Sequence, residues 1–346
     1  MRFNPLPFLS SLAVAACLLY GCKDAFPEAE PSSTPEKNFS LFYEDLRHSY
    51  PFFAFDHVNW DSLGRIYRPQ VTSTTTTDAL FDIMSQMLTP LMDGHASLTN
   101  QEGRLWTNAG NLPTRQNLSF SLGNILLRYN QDTTDYKNRN FFAFQPRPGI
   151  LYIYLPSFLV EGISGQVADA ISAAERTGNG LKGLILDVRN NGGGYLQEGE
   201  NIAGLFASSA YDYAREEYKN GPDTGDFEPL TTLSIKPYRS LNFTKPSLLL
   251  TNRYSASTSE RLRLALGERP NFKVIGDTTF GATSPIIERG LPNGFTYVIV
   301  GSVTYGLNNV LYERIGIPAQ IRVVNTLTDL QQGKDHVLDR ALAELP

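Results

Sequence analysis

The chain has 346 residues, 41 % of them hydrophobic and 19 % charged, an ordinary globular composition with enough apolar material for a sizeable core. With 30 Lys and Arg against 35 Asp and Glu, the net charge is −5, which excludes the basic footprint of a nucleic-acid binder. Both cysteines, Cys17 and Cys22, stand near the N-terminus, which excludes a disulfide scaffold, Cys-ligated zinc and iron–sulfur clusters.

Met1-Arg2 is a short positive start, and Leu6–Tyr20 is an apolar run of about 15 residues, shorter than the ~20 of a spanning helix. The run ends in Leu19-Tyr20-Gly21-Cys22, which resembles a bacterial lipobox with an unusually bulky Tyr20. The resemblance implies a cleaved leader over 1–21, lipid on Cys22, and residence in the cell envelope. An ordinary signal peptide that happens to contain Cys is the competing reading. Residues 22–37, rich in Pro, Ser and Glu, read as a flexible tether because they bury too little to offset ordering.

Residues 38–100 read as an N-terminal helical subdomain. Phe39, Phe42, Leu46 and Tyr50 fall near helical spacing, and Pro51 stops the run. After Asp78, the positions of Leu80, Phe81, Ile83, Met84, Met87, Leu88 and Leu91 predict an amphipathic helix. Asp93-Gly94 is expected to end it as a glycine cap, just before His95. Residues 101–148 are expected to be a β-rich connection, with hairpins suggested by Leu118, Phe120, Leu122 and by Ile125, Leu127, Tyr129; the segment is too short for an intact PDZ domain.

From 149 to 346 strands and helices alternate. Strands are expected at 150–155, 184–188, 247–251, 272–275 and 295–303, and helices at 162–176, around Ile202–Phe206 and at 257–266. The fold class is therefore α/β, a central, largely parallel sheet with flanking helices, preceded by the helical subdomain.

Two strand ends carry candidate chemistry. Ser257 lies at a strand-to-helix turn, where a hydroxyl is exposed beside the free N–H groups of a helix start. Ser257-x-x-Glu260 also fits a capping box, in which Ser257 only satisfies the helix. After the strand ending at Asp187-Val188, the three glycines Gly192, Gly193 and Gly194 let backbone N–H groups face a cleft. A Gly-x-Gly-x-x-Gly at 178–183 precedes a strand instead of following one, so it is no dinucleotide fingerprint.

Four ordered segments resemble the tail-specific, or carboxy-terminal processing, serine peptidases. They are Leu91-Met92-Asp93-Gly94-His95, Leu186-Asp187-Val188-Arg189-Asn190-Asn191-Gly192-Gly193-Gly194, Ser255-Ala256-Ser257-Thr258-Ser259-Glu260 and Ile275-Gly276-Asp277-Thr278-Thr279-Phe280-Gly281. Glu313-x-x-Gly316-Ile317 and a last helix after Gly333-Lys334-Asp335 extend the likeness to about Leu345. It implies a layered ClpP/crotonase-like domain, Ser257 as nucleophile, and Thr258 with Gly193 or Gly194 as oxyanion-hole donors. The lysine that serves as base in the commoner branch is absent, because Ala282 follows Phe280-Gly281 and Lys273 lies on an earlier strand.

The other branch resembles the tricorn protease core and implies His95 as base and Glu313 as its acid. Gly94 stands where those relatives carry Ser, and Ala319-Gln320 where the family usually has Pro-Asp. A capping or core role for His95 and a simple ion-pairing role for Glu313 are the structural alternatives. The expectation is a lipid-anchored serine peptidase acting on peptide or protein substrates, with no metal or organic cofactor. The alternative is a non-catalytic lipoprotein of the same fold that binds peptides or other ligands, and an esterase using the same Ser and His is a third reading.

Overall fold

The computed structural model describes residues 33–108, 120–129, 136–137, 140–178 and 180–346. The leader, Cys22 and most of the expected tether lie outside the described residues. The tether ends before residue 37: Thr34 accepts the Lys37 N–H, and Pro35 opens helix α1 (Pro35–Ser49) at a position where its missing N–H costs nothing.

The N-terminal part holds α1, α2 (Trp60–Tyr67) and α3 (Thr77–Leu88). α3 ends at Leu88, capped by the Thr89 N–H on Ser85 O, not at Gly94. Residues 89–96 are consequently irregular, and His95 rides on a loop. The helices do not make a core alone. They pack on a four-stranded sheet ordered β11-β12-β1-β2, with β1 (Ser97–Thr99), β2 (Leu105–Thr107), β11 (Ile286–Gly290) and β12 (Thr296–Val300). Phe42 meets Tyr297 edge-on at 5.2 Å, and Phe81 meets Phe295 at 5.9 Å. The division between 38–100 and 149–346 is thus one of sequence; the packing crosses it.

The main sheet has seven strands ordered β14-β10-β9-β6-β5-β4-β3. β5 (Ile150–Tyr154), β6 (Gly183–Asp187), β9 (Ser247–Thr251), β10 (Phe272–Gly276) and β14 (Ile321–Arg322) run parallel, while β4 (Phe142–Arg147) and β3 (Tyr136–Lys137) add antiparallel edges. The parallel strands read as unbroken apolar runs because both faces are covered. Leu151, Ile153, Leu184, Leu186 and Leu249 face a core that contains residues of α5 (Ile163–Glu175), α6 (Leu196–Gly204) and α7 (Thr258–Gly267). Tyr152, Ile185, Leu248 and Leu250 face the other side, with residues of α4 (Leu122–Tyr129) and, after the short α8 (Leu327–Gln331), α9 (His336–Glu344).

Two further expectations fail. The hairpin expected through Ile125, Leu127 and Tyr129 is the helix α4, and Leu118 falls outside the described residues. The strand expected over 295–303 breaks at Gly301 into β12 and β13 (Ser302–Gly306), which enter different sheets. β13 joins β7 (Tyr211–Tyr218) and β8 (Thr231–Ile235), two strands that sequence reading missed, in a three-stranded antiparallel sheet.

Candidate active site

Ser257 sits between the carboxyl end of β9 and the first turn of α7, at φ 53°, ψ −117°. An ordinary helix cap has extended backbone. This conformation costs a non-glycine residue about 1–3 kcal/mol, and it persists although the capping box between Ser257 and Glu260 also forms. Its partner is the glycine loop after β6. Ala256 N–H and Ser259 Oγ both donate to Asn191 O, at 3.0 and 2.9 Å, and Thr258 Oγ1 donates to Gly194 O at 2.7 Å. Asn190 and Asn252 add two more bonds, at 3.0 and 2.7 Å.

The glycines are required by contact. A Cβ on Gly193 would lie 2.7 Å from Ser257 Cβ and 3.0 Å from Thr258 N, and φ there is 102°. The approach to the Thr258 amide is therefore open only because residue 193 has no side chain. The Gly193 amide itself donates to Asn191 Oδ1 at 2.8 Å. Service as an oxyanion donor would require Gly193 to release that bond.

Glu260 is fully buried and ties this turn to the next. Its Oε2 accepts Ser257 N–H at 3.1 Å and Ala282 N–H at 2.7 Å, and its Oε1 accepts Thr279 Oγ1 at 2.6 Å and Gly281 N–H at 2.7 Å. Burial raises its pKa, and these bonds oppose the rise. Ala282, where a base lysine would stand, thus supplies only a backbone bond to Glu260. Lys273 pairs with Glu344 at 2.7 Å, and its side chain is more than half exposed.

Glu313 lies one step further along. Its Oε2 accepts Thr283 N–H, Thr283 Oγ1 and Ser284 N–H at 2.9, 3.0 and 3.0 Å. Burial pushes its carboxyl up to about 7; His95 pulls the other way, while Asp93 and Glu260 add to the rise. Glu313 is therefore an electrostatic neighbour of both His95 and the Glu260 carboxylate that touches Ser257. His95 donates its backbone N–H to Asp93 Oδ1 at 2.8 Å, and its Nδ1 stands 3.8 Å from that oxygen, buried and without a hydrogen bond among the described residues. Asp93 Oδ2 accepts Val300 N–H at 3.2 Å, fixing the loop to β12.

A profile for Peptidase family S41 matches residues 149–323, and one for the tricorn protease C1 domain matches 31–89. The chain belongs to peptidase family S41. Its S41 match covers the glycine loop, Ser257, Glu260 and Glu313, whereas His95 falls outside both matched stretches. The carboxy-terminal processing protease CtpA of Bacillus subtilis is 28 % identical over 201 residues, 58 % of this chain and 40 % of that protein. This S41 chain also superposes on a candidate peptidase of Parabacteroides merdae with a TM-score of 0.75, at 25 % identity, over 90 % of this chain and 96 % of that one. The tricorn protease shares the fold, with a TM-score of 0.55 and 15 % identity over 90 % of this chain and 36 % of its own.

The sequence missed the part played by Glu260, seen there only as a capping partner, and the roles of Thr279, Thr283 and Ser284. All four sit in family segments or beside them, so a buried carboxylate facing a polar loop was the available signal.

Proposed function

We propose that this S41 protein is a serine-type peptidase of the His-base branch. The observation that carries the reading is the strained backbone of Ser257, packed against Gly193 at the start of α7. Ser257 Oγ attacks the scissile carbonyl carbon and passes its proton to His95. Because Nδ1 is the buried nitrogen beside Asp93, Nε2 is the one that accepts. The tetrahedral oxyanion is held by the amide of Thr258 and one from the glycine loop, Gly193 or Gly194. Collapse breaks the C–N bond, the amine leaves with the proton from His95, and water then releases the acyl group by the same route. Glu313 stabilises the imidazolium through space.

The substrate class is a peptide or protein, with carboxy-terminal processing as the family-level form of the reaction. We place the enzyme in the bacterial cell envelope, held by lipid on Cys22, on the strength of the lipobox-like Leu19-Tyr20-Gly21-Cys22.

The test is covalent labelling by a fluorophosphonate. Wild type reacts, and Ser257→Ala and His95→Ala do not; labelling retained in Ser257→Ala refutes the nucleophile. An unreactive wild type that still gains thermal stability on adding peptide would favour the binding-protein alternative. For the anchor, Cys22→Ser moves the protein from the membrane fraction to the soluble fraction, and unchanged partitioning rejects lipidation.

A further inference from the structure

Residues 89–96 form neither helix nor strand, so the position of His95 depends on bonds made to this stretch from outside. One of them ends on Met92, three residues before it. Arg314 Nε donates to the Met92 carbonyl at 3.1 Å, and the Met92 main chain opposes the burial-driven rise in the pKa of the Asp56 carboxyl. Arg314 grips that same carboxylate with both terminal nitrogens, Nη1 2.8 Å from Oδ1 and Nη2 3.0 Å from Oδ2. Nη2 also donates to Tyr50 Oη at 3.1 Å, and Tyr50 in turn donates to Asp56 Oδ2 at 2.8 Å. Phe52 and Phe55 cover the guanidinium, their ring centres 5.0 and 5.2 Å away.

The other end of Arg314 is fixed as firmly. It follows Glu313 directly, at φ 66°, and its N–H donates to Gly281 O at 2.6 Å. Gly281 is the residue whose own N–H is held by Glu260, the partner of Ser257. An ion pair that only added stability would have no reason to begin one residue from Glu313 and end on a main-chain carbonyl three residues from His95.

We infer that Arg314 is a positioning residue, which sets the placement of His95 relative to Glu313 and Ser257 by clamping Met92. It touches neither substrate nor reacting atoms. Lysine cannot replace it, because the clamp uses Nε and both terminal nitrogens of a planar fork. The inference rests on the hydrolytic reading of Ser257 and His95 given above.

The experiment compares the full chain as wild type, Arg314→Lys, Arg314→Met and Tyr297→Phe. The last removes a different long-range tie, the 2.6 Å bond from Tyr297 Oη to Asp45 Oδ2 on α1. Both Arg314 variants lower the maximal rate of fluorophosphonate inactivation by about 10²-fold, the scale of a ~1 Å misplacement, with little change in probe affinity. Tyr297→Phe lowers Tm and leaves that rate unchanged. Amide hydrogen exchange over residues 92–96 accelerates in Arg314→Met and not in Tyr297→Phe. Exchange needs no activity, so it decides the role of Arg314 even where an unreactive wild type has removed the hydrolytic reading. Unchanged exchange over 92–96, faster exchange with no loss of rate in a reactive protein, or an equal rate loss in Tyr297→Phe overturns the inference.

Discussion

Glu260 accepts the backbone N–H of Ser257 at 3.1 Å on the same carboxylate oxygen that accepts the N–H of Ala282 at 2.7 Å. One buried side chain therefore fixes the candidate nucleophile to the loop that leads on to Thr283, Ser284 and Glu313. The carboxylate has four donors on two oxygens, an arrangement only an ionised acid satisfies, since an amide presents donors at one of its two ends.

Glu260→Gln should consequently be expensive despite its small change in shape. In either orientation of the amide, an N–H group faces another N–H inside the protein. At about 1–3 kcal/mol for each buried donor left unsatisfied, the expected loss is about 2–4 kcal/mol, together with slower labelling of Ser257. Urea unfolding of the two proteins at pH 7 measures it. A loss well under about 1 kcal/mol would show that the network is not what orders the turn.

Gly193→Ala tests the close approach of the two loops. The added methyl would meet Ser257 Cβ at 2.7 Å and the Ala256 carbonyl and Thr258 amide at 3.0 Å, none of them the far end of a flexible chain. Backbone must move, and φ of 102° is itself unfavourable for alanine. A loss of about 1–3 kcal/mol and at least about 10²-fold in labelling rate is expected. Thermal unfolding and timed labelling on one preparation give both; near-wild-type labelling would remove Thr258 from the oxyanion hole.

Glu313 gives a pH signature. Its carboxyl is raised from the usual 4.5 to about 7, chiefly by burial. Below pH 4.5 both folded and unfolded chains hold the proton. As pH rises towards 7, the unfolded chain gives it up first, so stability from this group falls by about 3 kcal/mol across that window and is flat above it. Gln at 313 keeps an oxygen for the Thr283 and Ser284 donors but cannot titrate. The stability of wild type relative to Glu313→Gln should decline between pH 4.5 and 7. Parallel unfolding curves across that range would mean the carboxyl titrates normally.

What the sequence made legible was local. β5, β6 and β9 declared themselves as apolar runs because both of their faces are covered, and α7 by the capping pattern at its start. Ser257, His95, Glu313 and the glycine loop were singled out because each sits in a short ordered motif. α4 was misread because LGNILLRY fits either period, and its state is decided by distant partners: Asn124 donates to Leu330 O at 2.6 Å and Tyr129 to Asp339. Arg314 was invisible for the same reason. Its side-chain partners Met92, Asp56 and Tyr50 are 222, 258 and 264 residues away in the chain, and no spacing rule reaches that far.

Ser257→Gly separates strain from chemistry. Serine at φ 53°, ψ −117° is held against its preference, whereas glycine reaches the mirror of the extended region freely. Ser257→Ala removes the hydroxyl and keeps the strain; Ser257→Gly removes both, against a cost of about 0.4–1 kcal/mol from the freer unfolded chain. With about 1–3 kcal/mol stored in the backbone, Ser257→Gly should be more stable than Ser257→Ala by about 1 kcal/mol, although neither labels. Paired urea titrations of the two variants measure the difference. A glycine variant less stable than the alanine one would mean that the turn is relaxed, and the backbone geometry of Ser257 would then say nothing about catalysis.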